Sequence, residues 1–145
     1  MKTMVIAGAG KGLGLSLAKC FGKEGFQIAL IARNEEKLQS MAAELKDKGI
    51  EASYYLADLT KREAVEKAMA DIKAKYGVID VMELSPVPTT SAPATVLKTT
   101  VENATAPFEG FVISAINVVN SLLPDMLERG EGALLFNTGL SAMYP

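Results

Sequence analysis

Histidine is absent from this chain, and cysteine occurs once, at Cys20. Those two shortages exclude an internal disulfide and leave no soft metal site. They also remove the usual proton shuttle, so acid–base work must fall to tyrosine, lysine or a carboxylate. A basic cluster is missing too, and the formal net charge is −2, which speaks against a nucleic-acid partner. No run of about 18 apolar residues is free of charge, so no membrane span is expected. The N-terminus, MKTMVIAGAG, enters glycine-rich sequence too early for a signal peptide. The expectation is a cytoplasmic domain with neither membrane nor nucleic acid as partner.

What is present is enough for one core. The 145 residues are one domain's length, 49% hydrophobic and 22% charged. Short apolar runs alternate with amphipathic stretches. Met4–Ala7, Phe26–Ala32, Ile50–Ala57, Val78–Leu84 and Ala133–Phe136 read as buried strands. Leu13–Lys23 reads as a helix, with Leu13, Leu17, Cys20 and Phe21 on one face. Asn34 caps a second helix carrying Leu38, Met41 and Leu45. Thr60-Lys61-Arg62-Glu63 has the form of a capping box and opens a third, with Val65, Met69, Ile72 and Tyr76. After a proline-rich loop, Ser85–Thr100, a long helix is expected over Val101–Glu128, bent near Pro124.

Strands apolar throughout, alternating with helices, predict an α/β fold: a doubly wound, Rossmann-like parallel sheet of five strands in the order 3-2-1-4-5. Ligands of such sheets bind at the carboxyl ends of the strands, beside the reversal in strand order. The loop at that point is AGAGKGLG, Ala7–Gly14. It matches neither G-x-G-x-x-G, since Leu13 stands at the third glycine, nor the phosphate-binding G-K-[ST] pattern. Gly8, Gly12 and Gly14 give G-x-x-x-G-x-G, which lets the backbone turn tightly and bring helix amides to a pyrophosphate. A purely structural turn would use glycine as well.

The end of the second strand reads Ala32-Arg33-Asn34, without the acid that would bond a ribose 2′-hydroxyl. Arg33 can instead pair with a 2′-phosphate, with Lys11 as a second cation, which favours NADP over NAD. The competing reading makes both solvated surface charges. Asp58-Leu59 closes the third strand, where a carboxylate can accept from an adenine amino group and the leucine can pack on the ring. Asp58 can equally serve to cap the next helix beside Thr60.

Together these residues resemble the short-chain dehydrogenase/reductase family. The pieces are AGAGKGLG, ARN, ADLT, the IDV of Ile79–Val81, LPDM at Leu123–Met126 and GALLF at Gly132–Phe136, in the family's order along essentially the whole chain. The resemblance implies hydride transfer between NADP(H) and a small carbonyl or alcohol substrate. It also implies a catalytic tyrosine assisted by lysine, serine and asparagine, and a homo-oligomer at full length. The family's N-N-A-G, which lines the cofactor, reads Leu84-Ser85-Pro86-Val87, so Ser85 is the polar candidate there. The asparagine position falls on Phe111, and Asn117 and Asn120 read as helix-surface amides. The catalytic serine position falls on Gly139, with Thr138 and Ser141 beside it; Ser141 is the candidate. Tyr144 comes too early for the Tyr-x-x-x-Lys element, which the 145 residues do not contain. The expectation is therefore the amino-terminal portion of a longer enzyme, the alternative being a non-catalytic NADP(H)-binding module.

Overall fold

A computed structural model describes residues 1–85 and 95–137. In chain order they form β1 (Thr3–Ala7), α1 (Leu13–Lys23), β2 (Gln27–Ala32), α2 (Glu35–Asp47), β3 (Ala52–Leu56), α3 (Arg62–Tyr76) and β4 (Val81–Leu84). A single 3-10 turn (Val96–Lys98) then leads to α4 (Val101–Phe108), α5 (Ser114–Arg129) and β5 (Ala133–Phe136). The five strands make one parallel sheet in the order β3-β2-β1-β4-β5, as the alternation of apolar runs and helices predicts.

Period-two alternation along each strand divides the core between the two faces of the sheet. Val5, Ala7, Ala29, Ile31, Met82 and Leu84 meet α3 and α5 through Val65, Met69, Ile72, Val118, Leu122 and Met126. Met4, Ile6, Ile28, Leu30 and Val81 meet Leu15 and Ala18 of α1 and Leu38, Met41 and Leu45 of α2. Each fully buried aliphatic side chain contributes about 1.5–3 kcal/mol by leaving water, so both faces are needed to hold so short a sheet.

At the amino end of the sheet, Asp80 joins three strands. Its carboxylate accepts from Thr3 N at 2.8 Å and from Arg129 Nη1 at 3.1 Å, and its backbone bonds Thr3 O and Ala133 N.

Two helix readings are corrected. Thr60 does not cap α3: its N–H and its hydroxyl both donate to Asp58 Oδ1, at 2.9 and 2.7 Å, and Lys61 stands at the cap position without a side-chain bond. The short Asp58 side chain reaches its own chain two residues on, and this local turn competes with the capping box. The long helix is interrupted by a π-helical segment, Glu109–Ile113, and then runs past Pro124 to Arg129. Asn34 caps α2 as expected, accepting from Lys37 N at 2.9 Å. The 29-residue helical run Val101–Arg129 is long and apolar enough to cross a membrane by length and composition. Only one face of its second half is buried, where Val118, Leu122 and Met126 pack on the sheet and α3.

Candidate functional site

The carboxyl ends of β1, β2 and β3 open into a groove of about 1180 Å³, walled on its far side by α4, the π segment and the start of α5. Six of the residues singled out by sequence line it together: Gly8, Lys11, Arg33, Asn34, Asp58 and Leu59.

The glycine loop begins with Gly8 at φ 89°, a backbone conformation that favours glycine. The turn lets the N–H groups of Gly8 and Ala9 both donate to Ile31 O, at 2.9 Å each, which pins the loop across the end of β2. Gly12 then occupies the cap position of α1, and no side chain bonds the amides of the first turn. A side chain at Gly12 would meet nothing within 4 Å, so this stretch of backbone stands open to a ligand. Leu15 N donates to Gly10 O at 2.9 Å, and the amides of Leu13 and Gly14 at the positive end of the helix dipole suit an anion. Gly14 acts differently: a Cβ there would lie 3.4 Å from Ala9 Cα and Ile6 Cγ2, so glycine lets the helix pack closely on β1. Gly12, Leu13 and Gly14 therefore shape the start of α1, while Gly8 and Lys11 face the groove.

The groove's second bank carries charge. Arg33 and Lys37 lie at the start of α2 and Lys61 ahead of α3, so with Lys11 four cations border it. Asp58 is partly buried, which pushes its carboxyl up. The two bonds from Thr60 and the charges of Arg33 and Lys61 outweigh that and hold it below the usual range. Asp58 thus fulfils both readings in part: it organises the turn before α3 and borders the groove as a carboxylate. Leu59 is mostly core, and its carbonyl accepts from Asn117 Nδ2 at 3.0 Å. Asn117 is therefore no helix-surface amide, because it ties α5 to the end of β3.

Ser85 lies outside the groove lining. Its N–H donates to Ala7 O at 2.9 Å, and its hydroxyl bonds Glu83. Phe111 sits in the π segment with half its surface exposed, and Ser141 and Tyr144 lie outside the described residues. Sequence reasoning missed Lys37, Lys61, Glu109 and Ser114 among the groove residues. Lys37 was within reach, since it falls one turn beyond Asn34. Ser114 is buried, with its hydroxyl 3.4 Å from Glu109 O, a bond across five residues that a regular helix would not make.

A parallel sheet reversing its order beside a glycine loop, with a wide groove across its carboxyl ends, defines a Rossmann-like nucleotide-binding fold. A family model described as short chain dehydrogenase matches residues 2–145, and the chain belongs to that family. A short chain dehydrogenase of Pseudocercospora fijiensis is 25% identical over 150 residues, covering 99% of this chain and 47% of that protein. L-sorbose reductase from Gluconobacter frateurii, solved with NADPH and L-sorbose, superposes with a TM-score of 0.89 at 30% identity, over 99% of this chain and 54% of that one. An NAD+-bound xylitol dehydrogenase gives 0.89 at 26% identity, over 99% and 55%. The chain thus spans about half the length of the relatives it matches.

Proposed function

We propose that this chain is the amino-terminal, NADP-binding portion of a cytoplasmic, homo-oligomeric oxidoreductase that transfers hydride between NADP(H) and a small carbonyl or alcohol substrate. The observation that carries the cofactor choice is the groove's charge: Lys11 and Arg33 both border it, and β2 ends without an acid. The residues present fit the cofactor. The first-turn amides of α1 suit a pyrophosphate, Arg33 and Lys11 a 2′-phosphate, and Asp58 an adenine amino group. When bound, the nicotinamide supplies the hydride-carrying carbon. Within this reading Ser141 orients the substrate, and the proton-transferring tyrosine and its lysine come from sequence beyond these 145 residues.

The relatives' bound cofactors include both NADPH and NAD+, so the preference must be tested on this chain. Arg33→Asp should weaken NADPH by tenfold or more, about 1.4 kcal/mol, and leave NADH within about twofold. Fluorescence titration of both cofactors measures this, and equal losses would remove the Arg33 assignment. NADPH at about 100 times its dissociation constant should also stabilise the fold by about 2.7 kcal/mol in thermal denaturation.

A further inference from the structure

A buried carboxyl stands on β4, between two strands of the sheet. Glu83 pairs in register with Ile6 of β1 and Leu135 of β5 and is 1% exposed. Alternation along the strand puts it with Val81 and Ser85 on the face that α1 covers, and Asn137, two residues past Leu135, falls on the same face. There the three polar side chains close a triangle. The Ser85 hydroxyl and the Asn137 amide both donate to Glu83 Oε1, and the Asn137 amide also donates to Ser85 Oγ at 2.7 Å. Glu83 Oε2 is buried and has no partner among the described residues.

An apolar side chain of similar size would fill this place without the cost of a buried, half-matched carboxyl. Such groups concentrate where function needs them. The triangle is also well placed: the Ser85 N–H donates to Ala7 O, so the cluster abuts the residue from which the glycine loop departs.

We infer that Glu83 is a positioning residue, which fixes the Ser85 hydroxyl and the Asn137 carboxamide at the carboxyl ends of β4 and β5 as the α1-side wall of the dinucleotide site. This rests on the NADP reading above. It extends the site from the described groove, over β1 to β3, across to the other half of the sheet. Ser85 and Asn137 present the polar groups, and Glu83 acts through them.

The test combines a ligand-free readout with a binding one. Glu83→Met, an apolar replacement of similar size, should shift the Asn137 side-chain amide resonances in an NMR spectrum, whereas Glu83→Gln, which keeps the acceptor oxygen, should leave them near their wild-type positions. Glu83→Met and Ser85→Ala should each weaken NADPH about five- to tenfold, the double variant should be no worse than either, and Glu83→Gln should stay within about twofold of wild type. Additive losses, or Asn137 resonances unmoved by Glu83→Met, would overturn the inference and leave the NADP reading standing. Failure of the wild-type protein to bind NADPH would defeat that reading and the positioning role with it. Should Glu83→Met not fold, Ser85→Ala must still move the Asn137 resonances, and unmoved resonances would overturn the inference.

Discussion

Asp58 and Glu83 are carboxyls toward the carboxyl end of one sheet, displaced in opposite directions. Burial acts against ionisation at both. Asp58 has two hydrogen bonds from Thr60 and the nearby charges of Arg33 and Lys61, and its carboxyl is held low. Glu83 is more deeply set. Burial pushes it above the ordinary carboxylate range, and the bonds from Ser85 and Asn137 recover part of that without reversing it. Those two neutral groups are its hydrogen-bond partners, and among the described residues no ion pair reaches it. The sign of the pH dependence follows. A group whose folded pKa is raised contributes stability that is fully present below its unfolded value and lost as pH rises through the folded one. Glu83→Gln keeps the acceptor and cannot ionise. Its thermal midpoint should therefore gain on wild type as pH rises from the ordinary carboxylate range upward. Parallel midpoints for the two proteins across that range would show that Glu83 is not displaced.

The elements show where sequence was informative and where it was not. Strands apolar on both sides announce a parallel sheet directly, and their alternation with helices leaves few topologies, so the strand order was legible. Gly8, Lys11, Arg33 and Asp58 were legible for the same reason, since each sits just past the end of a strand. The wall formed by α4 and α5 was not. The π segment over Glu109–Ile113 adds a residue to one turn and rotates everything after it by about 100° relative to an unbroken helix. A count carried from α4 across this segment along a regular helix would place Ser114 and Asn117 on the wrong face. Thr60 was misread because a local Asp58 turn and a capping box share the same residue types. Thr100 with Asn103 forms the capping box of α4 instead, asparagine replacing the usual glutamate or glutamine. Asn117 provides a check at this scale. Asn117→Ala removes the donor to the Leu59 carbonyl and should cost about 1–2 kcal/mol in urea denaturation. An unchanged midpoint would mean that water replaces the amide at no loss.

Considered whole, the sheet ends in β3 at one side and in β5 at the other. β3 carries Ser53, Tyr54 and Tyr55, with Tyr76 of α3 donating to Ser53 Oγ at 2.8 Å. β5 is the opposite edge, short and apolar, with Leu135 and Phe136 well exposed. Exposed apolar edges recruit other strands, so this chain should self-associate with rising concentration. Phe136→Lys should reduce that association in sedimentation velocity, and a distribution that is monomeric at every concentration would contradict the argument. The ends of the strands differ as sharply as the edges. Asp80 rivets β1, β4 and the start of β5 at the amino end, with Arg129 as the head of the rivet, whereas the carboxyl ends carry loops and the groove. A sheet so fixed is buttoned at the end away from the ligand, by side chains added to the ladder that already joins its strands. The amides of Thr3, Asp80 and Ala133 should accordingly be among the slowest to exchange with deuterated water, at rates that NADPH leaves unchanged, while those of Gly8 to Gly14 slow when it is added.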